Sequence, residues 1–126
     1  MSSTTTRFIH TSDWQLGMTR AYLHPEAAAR FGQARIDTIR RLGELATEHG
    51  AQFIVVAGDV FESNQLSPQT VMRTLDALRS LPVPIFLLPG NHDPLDGASI
   101  FAKPEFRRAA PHIIVIRDSV PIPVPG

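Results

Sequence analysis

Phe53-Ile54-Val55-Val56-Ala57 is an unbroken apolar run, three of its five residues β-branched, and it closes on Gly58-Asp59. A strand without polar alternation leaves no face for water, the pattern of a parallel sheet covered on both sides. Parallel neighbours need long crossovers, so helices are expected on either side of the run in sequence. Both are legible. His24-Pro25-Glu26 opens a helix, with Pro suited to the first turn and Glu to the positive helix end. Phe31, Ile39, Leu42 and Ala46 recur at helical intervals as far as about His49, and Gly50 is placed to cap the end. Arg30, Arg40, Arg41 and Glu44 occupy the remaining surface. Ser67-Pro68 opens a second helix whose buried face is Val71, Leu75 and Leu78 and which ends near Leu81.

Two further apolar stretches flank these helices. Arg7-Phe8-Ile9-His10 runs into Thr11-Ser12-Asp13-Trp14-Gln15-Leu16-Gly17, and Ile85-Phe86-Leu87-Leu88 runs into Pro89-Gly90-Asn91-His92-Asp93-Pro94. The pattern is strand-helix-strand-helix-strand, and right-handed crossovers make it an α/β unit with a three-stranded parallel sheet. Three polar segments then share one sheet edge, the edge where open α/β sheets place their chemistry. Beyond Pro94 the pattern weakens. Ser99-Ile100-Phe101 is a short apolar patch, 105–110 a helical turn or two, and His112-Ile113-Ile114-Val115-Ile116 is strand-like. Residues 1–6 read as a loose tail and 7–126 as one domain. The closing Val-Pro-Ile-Pro-Val-Pro-Gly resembles a strand edge or linker that leads onward, so the chain is expected to be a fragment.

Composition narrows the chemistry. Formal net charge is zero, so no global basic field exists and any nucleic acid must be held locally. The absence of cysteine removes thiolate metal sites, disulfides and Cys nucleophiles. Metal ligands must come from Asp, Asn, Gln and His. No run of about 20 apolar residues spans a membrane, and the N-terminal Met-Ser-Ser-Thr-Thr-Thr has no apolar core, which makes the cytoplasm the default location.

Asp13-Trp14-Gln15, Gly58-Asp59 and Gly90-Asn91-His92-Asp93 each follow a strand and supply oxygen or imidazole donors suited to Mn, Fe, Mg or Zn. A carboxylate can bridge two cations about 3.5–4 Å apart, a spacing that clamps the attacking and leaving oxygens of a phosphoryl displacement. Asp59, on the middle segment, is the natural bridge. Taken singly, each acid could equally be a turn residue bonded to its own backbone.

These segments resemble the opening motifs of the calcineurin-like metallophosphoesterases, Asp-x-His, Gly-Asp and Gly-Asn-His-Asp. The string Ser12-Asp13-Trp14-Gln15-Leu16-Gly17 is most similar to the SbcD/Mre11 branch of DNA-repair exonucleases, and the similarity extends from residue 7 to about 97. The resemblance implies an αββα sandwich of which this chain supplies mainly the first βαβαβ half. It implies two divalent cations, Mn foremost, with Asp13 and Asp59 on the first and Asp59 and Asn91 on the second. His92 would face the scissile phosphate as general acid or transition-state stabiliser, with Asp93 orienting it. The implied partners are DNA and an ATPase of the SbcC/Rad50 type, with room for a homodimer and no role for a membrane.

Two departures stand out. Gln15 occupies the histidine position of Asp-x-His, replacing an imidazole with a weaker amide oxygen on the first metal. The later Gly-His and Gly-His-x-His motifs have no counterpart before Gly126, so residues 1–126 alone are expected to lack turnover. The rival readings are a phosphodiesterase or phosphatase acting on small nucleotides or phosphoproteins, and a non-catalytic assembly module. His10 reads as a packed strand histidine outside the site, Trp14 as core, and His24, His49 and His112 as surface or helix-end residues. Arg40-Arg41 and Arg107-Arg108 read as solvated pairs.

Overall fold

The computed structural model describes residues 5–14, 16, 25–61, 68–90 and 111–125. In chain order the elements are β1 (Phe8–Thr11), α1 (Pro25–His49), β2 (Phe53–Ala57), α2 (Pro68–Arg79), β3 (Ile85–Leu88) and β4 (Ile113–Val115). All neighbouring strands pair in parallel in the order β1-β2-β3-β4. The expected three-stranded sheet is therefore a four-stranded one. The strand-like run at 112–116 joins β3 as an edge, with Ile85 opposite Ile113 and Leu87 opposite Val115. The short apolar patch at 99–101 and the helical turn expected at 105–110 lie outside the described residues.

Sequential parallel order means that each crossover steps the same way across the sheet, so with one hand the helices fall on one face. The core confirms it. Ile54, Val56, Ile85 and Leu87 from that face are buried against Ile36, Ile39 and Ala46 of α1 and Val71, Leu75 and Leu78 of α2, with Ile9, Ile113 and Val115 packed at its margin. The opposite face carries a ring row: Phe8 stacks on Phe53 at 4.9 Å, and Phe53 meets Phe86 edge-on at 5.7 Å. Offset and edge-to-face geometries match the ring quadrupoles.

Local chemistry fixes the element ends. Gly50 has φ +64°, and the Ala51 amide donates to the Ala46 carbonyl at 2.8 Å, a six-to-one closure of α1 that only the left-handed region permits. Gly43, in the middle of α1, has a different reason. A Cβ there would lie 2.7 Å from Leu81 Cδ2 and 3.3 Å from Pro82 Cδ, so the missing side chain is what lets the chain after α2 press against α1. On the outer side of α1, Arg40 pairs with Asp37, and Arg41 with Glu44 and Glu48. Hydrogen bonds to Glu44 and Glu48 raise the Arg41 pKa further above its ordinary value. The pair is a solvated, self-neutralised surface, as its sequence suggested, and such exposed pairs contribute little stability.

Candidate active site

The C-terminal ends of β1, β2 and β3 converge, and the chain treats the first two ends in the same way. After β1 the backbone turns at Asp13 with φ +55°, and after β2 it turns at Asp59 with φ +53°. Among the described residues these are the only non-glycine positions in the left-handed region. Asp tolerates that region better than most side chains, yet a strained residue of this kind still costs on the order of 1–3 kcal/mol.

What holds the two turns is visible on both sides of each acid. The Asp13 amide donates to the Gly58 carbonyl at 3.1 Å, and three residues on the Leu16 amide donates to the Val60 carbonyl at 2.9 Å. Leu16 and Phe61 form a parallel bridge beyond the strand ends. Leu16, Val60 and Phe61 are almost wholly buried. Burying each such side chain contributes about 1.5–3 kcal/mol, enough in sum to offset the strain at two aspartates. Each acid is thus a short polar excursion between a strand end and a buried anchor. Asp13 is exposed and Asp59 half-buried, so both carboxylates are within reach of solvent.

The third strand end adds a backbone rather than a side chain. A Cβ built on Gly90 would collide with Asp59 Oδ1, lie 2.5 Å from the Asp59 amide nitrogen and 2.9 Å from its Cγ. Gly58, with φ +92°, approaches Gly90 from the other side, the Gly90 Cα lying 3.6 Å from where its own Cβ would stand. Gly90 itself lies directly beside Asp59, and Asn91-His92-Asp93 follow it in sequence. Asn91, His92, Asp93 and Gln15 themselves lie outside the described residues. The structure therefore brings together Asp13, Asp59 and Gly90. Among the described residues there is no cluster of three or more His, Cys, Asp or Glu side chains.

The first turn is reinforced by side chains. Ser12 Oγ donates to Asp13 Oδ2 at 3.0 Å, and Trp14 Nε1 donates to Thr11 Oγ1 at 3.0 Å. Trp14 is half-buried against the core, as expected of it. A cavity of about 270 Å³ opens beside this turn, lined by Asp13, Trp14, Arg35, Thr38 and Leu42 among others. A larger hollow of about 600 Å³ lies at the opposite end of β1, around Arg7, Phe8, Leu45 and His49, far along the strand from either acid.

Two histidines differ from their reading in the sequence. His10 is exposed on β1 rather than packed, because it alternates with Ile9 and Thr11 away from the helix side. His112 is half-buried, and its Nε2 sits 3.2 Å from the Leu78 carbonyl at the end of α2, so that nitrogen carries the proton and donates. His49 is exposed at the end of α1, as expected. His24 and Arg107-Arg108 lie outside the described residues.

The profile of the calcineurin-like phosphoesterases matches residues 6–123, nearly the whole chain. The chain belongs to the calcineurin-like phosphoesterase family. Within the family it is similar to the DNA double-strand break repair protein Mre11 of Archaeoglobus fulgidus, 34% identical over 90 residues, which are 69% of this chain and 19% of that protein. It is also similar to the SbcD component of the nuclease SbcCD of Bacillus subtilis, 31% identical over 120 residues, 92% of this chain and 29% of the relative. The corresponding SbcCD component of Escherichia coli K12 is 35% identical over 92 residues, 69% of this chain and 21% of the relative. The chain thus spans between about a fifth and three-tenths of these relatives. The four-stranded parallel sheet with its helices is consistent with the first half of the phosphoesterase fold.

Phosphoesterases of this family generally use divalent metals, and the donor set can be tested against that use. Asp13 and Asp59 offer hard, anionic oxygens at adjacent strand ends, the chemistry that Mn or Mg selects. The glycine at position 90 lets the end of β3 pack directly against Asp59. The described residues fit a divalent cation at this edge.

Proposed function

We propose that the chain is the N-terminal part, residues 7–126, of the metallophosphoesterase domain of a metal-dependent phosphodiester hydrolase, a DNA exonuclease of the SbcD/Mre11 type. The observation that carries the reading is the pair of strained aspartates, Asp13 and Asp59, held in the left-handed region at adjacent strand ends. Strain kept at two neighbouring carboxylates, at the sheet edge where ligands bind, is the mark of a site more than of a connection. The motif set and the names of the relatives supply the phosphodiester and the DNA.

In this reading Asp13, Gln15, Asp59 and Asn91 would hold the two divalent cations, Asp59 serving both, and Mn is the expected metal. When bound, the metals supply an activated nucleophile and charge neutralisation at the phosphate. The residues of the chain do the rest. His92 carries a proton to the departing sugar oxygen, which an imidazole with a pKa near neutrality can do, and Asp93 orients it. Trp14 stays in the core, and Gly90 lets the third strand end pack against Asp59. The partners are DNA and an SbcC/Rad50-like ATPase, with room for a homodimer, and the location is cytoplasmic, in keeping with bacterial and archaeal relatives. No helix among the described residues is long and apolar enough to cross a membrane.

The test is to compare turnover of linear duplex DNA, cyclic nucleotides and an aryl phosphate by the full-length protein in Mn²⁺. Preferential cleavage of duplex ends supports the nuclease. Preference for the small substrates moves the reading to a nucleotide phosphodiesterase or phosphatase, and failure to bind Mn²⁺ in calorimetry moves it to an assembly module.

A further inference from the structure

Arg35 differs from Arg40 and Arg41, the arginines that follow it on α1. Arg40 and Arg41 pair with carboxylates of their own helix, whereas Arg35 makes no ion pair among the described residues. It reaches across to the β1 turn instead. Its Nε and Nη2 both donate to the Trp14 carbonyl, at 2.9 and 2.6 Å. The guanidinium lies 5.2 Å from the centre of the Phe31 ring, one turn earlier on α1, which limits its sideways movement. Arg35 is half-buried, so the bond to the carbonyl is only partly exposed to competition from water.

The peptide held in this way joins Trp14 to Gln15. It lies between the two backbone rungs of the turn, Asp13 N–H to Gly58 and Leu16 N–H to Val60. Those rungs fix the ends of the excursion, and among the described residues the hydrogen bonds shown for the Trp14 carbonyl come from Arg35. Two donors of a rigid fork on one oxygen set the direction of the Trp14 carbonyl. The Trp14 carbonyl follows directly on Asp13, so fixing it narrows the ways in which a turn that begins at φ +55° can relax.

We propose that Arg35 is a positioning residue for the metal site: it locks the Trp14 carbonyl and so helps hold the turn that keeps Asp13 in its strained conformation for metal binding. This rests on the reading of Asp13 as a ligand. Arg35 touches neither metal nor substrate. Its effect passes through the backbone, as the outer partners of metal ligands commonly act, and their loss typically weakens metal affinity about 10- to 100-fold.

The experiment uses the full-length protein and its Arg35→Met and Arg35→Lys variants. Mn²⁺ affinity is read by calorimetry, and amide exchange is read on the metal-free protein. Arg35→Met is expected to bind Mn²⁺ about 10- to 100-fold more weakly, with Arg35→Lys between it and the wild type, since one ammonium can replace one of the two bonds. Exchange should accelerate at the Asp13 and Leu16 amides while the β2 amides stay as protected as before. Wild-type affinity in Arg35→Met overturns the proposal, as does equal acceleration across β2, which would mean general loosening. If Arg35→Met does not fold, unchanged affinity in Arg35→Lys overturns it. A wild type that binds no Mn²⁺ refutes the metal reading itself and takes the role of Arg35 with it, an outcome distinct from a wild type that binds and variants that match it.

Discussion

Gly90 and Asp59 stand so close that a β-carbon on Gly90 would lie 2.5 Å from the Asp59 amide nitrogen. Backbone cannot retreat from such a contact as a flexible side chain can, so Gly90→Ala must displace the β2 turn or the β3 exit. The expected outcome is a loss of about 1–3 kcal/mol in denaturant unfolding, the range for overpacking, together with weakened Mn²⁺ binding in the full-length protein. Unaltered unfolding and binding would mean that the two segments do not meet.

Asp59→Asn separates charge from conformation. Asn shares the tolerance of Asp for positive φ, so metal-free stability should shift by no more than about 1 kcal/mol. Both metals should be lost together if one carboxylate bridges them. Elemental analysis finding two metals per chain in the variant would remove the bridging role.

His92→Ala in the full-length protein should keep its metal and lose turnover by about two to four orders of magnitude, the usual contribution of a general acid. A fall in metal content instead would make His92 a ligand.

Gln15→His restores the imidazole of the family motif. Because an amide oxygen is the weaker donor, the substitution should tighten Mn²⁺ binding and lower the metal concentration for half-maximal cleavage. If neither quantity moves, Gln15 lies outside the coordination sphere.

Two glycines of α1 should respond in opposite directions to the same change. Gly32 has nothing within 4 Å of a new Cβ, so Gly32→Ala should stabilise by roughly 0.5–1 kcal/mol through helix propensity. Gly43→Ala gains the same propensity but drives a methyl into Leu81 and the rigid Pro82 ring, and overpacking of about 1–3 kcal/mol outweighs the gain. Thermal unfolding of the two variants side by side tests the sign of each.

The sequence by itself determined the elements and their order. The apolar runs at Phe53–Ala57 and Ile85–Leu88, the helical spacing after Pro25 and Pro68 and the glycine after His49 are local signals, and each is found where its signal lies. It also placed Asp13 and Asp59 just past strands, because the change from apolar run to polar turn is itself local. Only the tertiary structure decided how those acids are held. Leu16 and Phe61 look like ordinary apolar residues of a turn, and their burial beneath the strand ends depends on two loops running side by side. The bond from Arg35 to the Trp14 carbonyl joins positions 21 residues apart, with no periodicity to announce it. The fourth strand depended on pairing with β3, and the exposure of His10 on which face the helices covered. Periodicity and turn chemistry act over a few neighbouring residues and can be read along the chain. Contacts between a helix and a strand end exist only after the crossovers have brought them together.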